Sequence, residues 1–371
     1  TPETIVRMPG HTLKRLLYTI PVVWLMLSAI FILSSLLPGR FGEEQLLQTE
    51  IGFYGRSSQS ERTAAYQQLQ ERTQQHLPLF YVSLEPLSVE QMHRYTFLLP
   101  SLNWHGTQNQ YHRWLSGLLR GSMGESYATA RPVTALIREA AAATSWILLM
   151  SMTVTVLLAL WAGKSLVHGL GRKRRKFLLA ALVILDSLPL FVLALLLLLL
   201  LANPDTMQLF PVFGLGYTSS YGQSTWQALL STFPYLVLPA LCLVLTNLPY
   251  LTNQFYSSLK GTMQADYIKT ARAKGLSPTS VITKHALRNA LLPVITILSD
   301  MLPAMVAGTV VIETIFAIPG VGRLLVSSVL ARDFPVIVGI VVVIALVKMV
   351  SHVVADVAYS LADPRIRRNS L

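Results

Sequence analysis

Six apolar runs, each close to the ~20 residues that cross a bilayer as a helix, alternate with polar segments along the chain. They cover about 16–37, 144–162, 177–202, 229–255, 291–316 and 335–359. The first stops at Pro38-Gly39 and reads as a retained span, being too long for a cleaved signal and lacking a small-residue cleavage site. The third carries seven consecutive leucines after Ala194, the fourth is interrupted by Pro234, Pro239 and Pro249, and the fifth contains Pro303. This pattern predicts an all-α polytopic membrane protein with six transmembrane helices. Three regions follow from it: 1–37, an N-terminal segment with the first helix; 38–143, an external insertion; and 144–371, a core holding helices two to six.

Two polar stretches stand out against the apolar ground. The insertion 38–143 predicts a small external subdomain, with a polar helix at 61–75, a strand-like apolar run at 77–84, and Trp104 and Trp114 as core material. It would either dock an external partner or cap the mouth of the bundle. At 131–139, Arg131-Pro132-Val133 leads into an amphipathic, interfacial approach to the second span. The second stretch, within the loop 256–290, reads YIKTARAKGLSPTSVITKHALRNALLP from Tyr267 onward. Glycine accepts the left-handed geometry that closes a helix, so one basic helix ends at Gly275. Ser277 then caps a second, with Pro278 at its first position, where a missing N–H costs nothing. A folded helix–turn–helix thus replaces a flexible loop, as something gripped from outside the bilayer would require.

Charge orients the chain. Of 371 residues, 52% are hydrophobic and 13% charged, with a formal charge of +12. With the N-terminus inside, the short cytoplasmic segments collect eighteen basic residues against three acids, whereas the short outer loops carry only Arg323 and Arg332. The insertion has nine arginines and nine glutamates, and long loops translocate regardless of charge. Both termini are therefore expected in the cytoplasm, with the excess charge facing anionic lipid of the bilayer. No aromatic-interleaved basic groove or zinc-finger spacing points to nucleic acid.

Catalytic signals are absent from the pattern. Gly163-Lys164-Ser165 mimics the end of a phosphate-binding loop, but Leu158 stands where the first glycine must turn the backbone. There is no HExxH pair, no GxSxG elbow, and no ligand spacing among the eight histidines. The lone Cys242 forms no disulfide framework or thiolate site. The chain is expected to be a non-catalytic membrane subunit with no cofactor or metal of its own. Ionisable residues inside spans are costly, so Asp186, Asp300 and Glu313 become candidates for a substrate path. Lys348, His352 and Asp356 recur every four residues on one helix face. They fit either a proton relay, as in a proton-coupled secondary transporter, or a self-satisfied ion pair near the cytoplasmic end.

The polar stretch resembles the cytoplasmic "EAA" loop of ATP-binding-cassette (ABC) importer permeases, in the form found in the oligopeptide/dipeptide/nickel family. The resemblance is carried by Tyr267, by Thr270-Ala271-Arg272-Ala273-Lys274-Gly275-Leu276 and by His285-Ala286-Leu287-Arg288-Asn289-Ala290. Trp114-Leu115 with Gly121-Ser122-Met123-Gly124-Glu125-Ser126 is similar to that family's approach to the second span. Val311 to Phe316 with Pro319-Gly320-Val321-Gly322 is similar to its connection between spans five and six. Arg332-Asp333-Phe334-Pro335 and Leu361-Ala362-Asp363-Pro364-Arg365 match its last span and tail. Much of 38–113 is unmatched. Lys269 stands where the name-giving glutamate belongs, with Thr270 at the next alanine, so a carboxylate contact at that point is not carried over.

The resemblance implies the type I ABC importer fold in a bacterial inner membrane, and transport by alternating access. Peptides are the expected cargo, with nickel or another small solute as the alternative. Tyr267, Lys269, Thr270, Ala271, Ala273, Gly275, Leu276, His285, Arg288 and Asn289 would couple the chain to two cytoplasmic ABC ATPase subunits, which would bind the ATP and magnesium. A second homologous permease and an external substrate-binding protein complete the implied assembly.

Overall fold

The computed structural model describes residues 21–32 except 23 and 30, residues 67 and 71, and 77–85, 101–212, 214 and 225–362. Most of the expected first span, the polar helix at 61–75 and the C-terminal tail lie outside them. Among the described residues, four helices are long and apolar enough to cross a membrane, and a fifth stretch passes only as a bent helix pair. The chain divides into two compact units, the larger comprising 139–326 and the part from 343 onward, the smaller 23–138 and 327–342.

The larger unit is a bundle of long helices. Helix α2 (Val133–Val167) enters it from the amphipathic segment 134–139, which continues the span without a break. Helices α3 (Arg172–Asp186) and α4 (Leu190–Leu197, extended by a π turn at Leu198–Ala202) occupy the place of the expected third span. They meet at 105°. The cause is local: Pro189 donates no backbone N–H and is itself extended, with ψ 144°. Ser187 turns its hydroxyl back onto the Val183 carbonyl at 2.8 Å.

Helix α5 (Thr225–Thr262) is the central pillar and absorbs Pro234, Pro239 and Pro249 without ending. Around Pro249, Thr246 and Asn247 donate to the carbonyls of Cys242 and Leu243 at 2.9 and 2.8 Å. Leu238, Leu243, Leu251, Phe255 and Leu259 of α5 are fully buried, with Ile147 of α2, Ala194 of α4 and Ile312 of α8 (Leu292–Ile315) in the same core. Gly163 sets how closely α2 approaches, since a Cβ there would lie 2.5 Å from the Phe255 ring. Leu149, Leu157, Trp161 and Phe191 remain exposed, as lipid-facing positions require.

The smaller unit is built around aromatics. Strands β1 (Val82–Glu85) and β2 (Ser101–Trp104) pair antiparallel, with Val82 opposite Trp104. Helix α1 (Gln110–Leu119) starts at Asn109, whose side chain accepts from the His112 N–H at 2.7 Å. Tyr111 is buried among Phe31, Phe80, Tyr81 and Trp114, and its hydroxyl meets Ser28 Oγ at 2.6 Å. Helices α9 (Val321–Leu330) and α10 (Phe334–Ala362) close the chain order after the loop helices described next.

Candidate functional site

Helix α6 (Asp266–Ala273) follows α5 after a three-residue turn, with Asp266 in its first turn, where a negative charge suits the helix dipole. Ile268 and Ala271, three apart, are buried and belong to the bundle core. Gly275 then adopts φ +78°, its N–H bonded to the Arg272 carbonyl at 2.9 Å. Ser277 caps the next helix by accepting from the Ser280 N–H at 3.3 Å, with Pro278 in the first turn. That helix, α7 (278–290), begins with Pro278–Ser280, widens into a π stretch over Val281–Ala286 and ends with Leu287–Ala290.

Val281, Ile282, Ala286 and Ala290 join Ile268 and Ala271 in the bundle core. Asn289 donates to the Tyr267 hydroxyl at 2.7 Å, clasping the two helices together, and Ser258 Oγ donates to the Ala290 carbonyl at 2.9 Å, fixing the pair to α5. By contrast, 272–279 is exposed throughout, a crest topped by Gly275 and Leu276. Lys269 is exposed and paired with Asp266 at 2.8 Å. The predicted site residues thus divide in two: Ala271 faces inward as an anchor, whereas Lys269, Thr270, Ala273, Gly275, Leu276 and Arg288 face outward. His285 is half-buried within the π stretch. The pair forms a knuckle packed on the bundle through these contacts.

Glu313 occupies the far end of α8 and is fully buried. Thr144 Oγ1 donates to one carboxylate oxygen at 2.6 Å and the Arg323 N–H to the other at 3.0 Å, with the Gly322 N–H as a further donor. Thr144 Oγ1 in turn accepts from the Val321 N–H at 2.9 Å. The carboxylate therefore sits on the N-terminus of α9, where free N–H groups and the dipole receive an anion. Gly320 and Gly322 make room: a Cβ at 320 would collide with the carboxyl group, and one at 322 would lie 2.5 Å from Val310 Cα. The geometry gives Glu313 the role of an internal anchor. The other two path candidates differ, because Asp186, at the α3–α4 break, and Asp300, within α8, are both exposed on this chain.

In the smaller unit, two stretches singled out in the sequence come together. Asp333 is buried and accepts from Ser126 Oγ at 2.5 Å, the Tyr127 N–H at 2.9 Å and the Ala128 N–H at 3.3 Å. Ser126 Oγ also accepts from the Thr129 N–H at 3.0 Å. Burial, and then the charge of Asp333, push the Tyr127 phenol up to about 12. Gly339 lets α10 approach the start of α2, since a Cβ there would fall 2.6 Å from Val133 Cγ1. Asp333 thereby locks the 126–128 turn to the N-terminus of α10. Replacing Asp333 by Asn puts an amide N–H₂ against one of the two backbone donors, Tyr127 or Ala128, and an unsatisfied buried group costs roughly 1–3 kcal/mol. The expected result is earlier thermal unfolding and faster proteolysis near Tyr127, while Ser126→Ala, which removes one donor, has a smaller effect. Equal protease resistance in D333N and the unmodified chain would refute the lock.

The sequence matches a known family and curated relatives. Residues 155–368 match the family model described as binding-protein-dependent transport system inner membrane component. The oligopeptide transport system permease protein AppB of Bacillus subtilis is 34% identical, over 69% of this chain and 79% of the relative. The glutathione transport system permease protein GsiC of Salmonella paratyphi A is also 34% identical, over 70% of this chain and 79% of its own length. A crystal structure of an amino acid ABC transporter with histidines aligns with a TM-score of 0.43 and 13% identity, covering 61% of this chain and 94% of that one. The chain belongs to the family of binding-protein-dependent transport system inner membrane components, and is a transmembrane permease subunit of an ABC importer.

Proposed function

We propose that this permease imports peptides by alternating access, driven by two separate ATPase subunits that grip the 272–279 crest. The observation that carries this is the knuckle itself. Its inner face is continuous with the bundle core through Ile268, Ala271, Val281, Ile282, Ala286 and Ala290, whereas its crest is fully exposed. A push on the crest is thus passed to α5 and α8 without being lost in a flexible loop. ATP and magnesium would bind the partners, leaving this chain non-catalytic. The basic residues that flank the knuckle and the α2–α3 loop favour a cytoplasmic position for this face and for both termini.

Asp186 and Asp300 support a second permease. A carboxylate at membrane depth is held against protein or a water-filled cavity, and both face outward on this chain. A homologous partner covering them would enclose a polar path between the two subunits, while an external substrate-binding protein delivers cargo to the opposite face. Peptide cargo rests on the relatives named for oligopeptide and glutathione transport.

Uptake into vesicles by the reconstituted assembly tests the reading. Labelled peptide should accumulate only with ATP, and should not be displaced by nickel ions. Uptake that persists without ATP and collapses with the proton gradient would instead make Lys348, His352 and Asp356 a relay, and the coupling assignment would fall.

A further inference from the structure

At the membrane end of the knuckle lies a cleft of about 400 Å³. Val156 and Leu160 of α2 form one wall, and Leu291, Val294 and Leu298 at the start of α8 form the other. Thr283 and Arg288 stand among the lining residues as its polar members. Thr283 belongs to the π stretch Val281–Ala286, and Arg288 to the α turn Leu287–Ala290 that follows it. Such π segments occur frequently at functional sites.

The volume lies within the ~300–1,000 Å³ range of small-molecule pockets. Filled with water at ~30 Å³ each, it would hold about a dozen molecules with almost no hydrogen-bond partners. Hydrocarbon suits these walls and water does not. The polar end falls where α8 passes from its apolar span into a loop bearing Lys269, Arg272, Lys274, Lys284 and Arg288 against the single acid Asp266. That imbalance selects a negative headgroup over a zwitterionic one.

We infer that this cleft is a binding site for an anionic phospholipid, with one acyl chain between α2 and α8 and the phosphate on Arg288, beside Thr283, whose hydroxyl donates to the Thr279 carbonyl at 2.8 Å. The lipid bridges the knuckle and the spans it leads into.

Native mass spectrometry of the delipidated full chain, purified with its associated subunits, tests this with phosphatidylglycerol and phosphatidylethanolamine as probes. Phosphatidylglycerol should bind at one site per chain, about fivefold more tightly than phosphatidylethanolamine, the worth of one basic residue near a membrane surface. Arg288→Gln should erase that preference and Arg288→Lys should restore most of it. Leu160→Trp, which fills the cleft, should abolish the site for both lipids; Val156→Phe serves if that variant fails to fold. Equal binding of the two lipids to the unmodified chain, or unchanged phosphatidylglycerol affinity in Arg288→Gln, overturns the inference. So does a cleft-filling variant that keeps its lipid but loses a co-purifying permease, an outcome that would assign the cleft to a subunit contact. The lipid readout is independent of ATP-driven uptake, so the two proposals can fail separately.

Discussion

Gly320→Ala is expected to destabilise the bundle more than any exposed substitution, by roughly 3–5 kcal/mol, the cost of breaking a buried charged contact. The added methyl has no free space, because it would fall on the Glu313 carboxyl group itself. Either the connection after α8 shifts, or the carboxylate is expelled from the N-terminus of α9. Expulsion strands the Thr144 hydroxyl and the Arg323 N–H, both now bonded to it. Glu313→Gln is the milder counterpart. Its amide oxygen can keep the Arg323 N–H, while its N–H₂ faces the Thr144 hydroxyl, which must turn from donor to acceptor, at roughly 0.5–1.5 kcal/mol for one altered hydrogen bond. Val311→Ala, on the exposed side of the same helix, should stay within about 0.5 kcal/mol. Thermal unfolding in detergent, together with the yield of inserted protein, measures all three. If Gly320→Ala melts with the unmodified chain, the carboxylate does not anchor α9 and Glu313 returns to the substrate path.

Local chemistry made the knuckle legible in advance. The Gly275 turn, the Ser277 cap and the Pro278 start each depend on one residue and its immediate neighbours, and the structure has all three. Ala271 is different: the sequence motif groups it with the coupling residues, yet its spacing from buried Ile268 turns it inward. The places of the second to sixth apolar runs were also readable, because a bilayer imposes a length on such a run. The 105° break in the third was not. Pro189 signals an interruption but not its angle, which depends on what each half-helix packs against. The π stretch gave no sequence signal at all.

Long-range pairings were least legible. Asp333 and Ser126 are 207 residues apart, and Glu313 and Thr144 are 169 apart. Hydrophobic periodicity carries no information about such contacts. The clue available for Glu313 was the pair Gly320 and Gly322 just beyond it, which marks a close approach. Intramembrane carboxylates suggest transport chemistry by default, but a helix N-terminus satisfies one equally well. Geometry alone separates Glu313 from Asp186 and Asp300.

Leu276→Asp should detach the ATPases while leaving the permease folded, and this contrast bears most directly on the coupling proposal. Leu276 is exposed at the top of the crest, so a charge there has no buried contact to disrupt. In an interface, a central apolar anchor is worth about 2 kcal/mol or more, or roughly thirtyfold in affinity. Ala271→Asp, five residues earlier, should instead prevent folding, because that position faces the core beside Ile268. Two further variants test the stiffness of the knuckle. A Cβ at Gly275 would meet no atom within 4 Å, so alanine suffers only from the φ of +78°, at roughly 1–2 kcal/mol for a residue forced left-handed. Asparagine tolerates that geometry and should lose less. Tyr267→Phe removes the 2.7 Å clasp from Asn289 without touching the crest. It should keep the ATPases bound but lower the transport obtained per ATP hydrolysed, since force on the crest would then part the two helices before reaching α5. Co-purification of the ATPases separates loss of grip from loss of transmission. If Leu276→Asp retains its ATPases and transports at the unmodified rate, the crest is not the grip; if Tyr267→Phe couples as tightly as the unmodified chain, the rigidity of the knuckle is not what transmits the stroke.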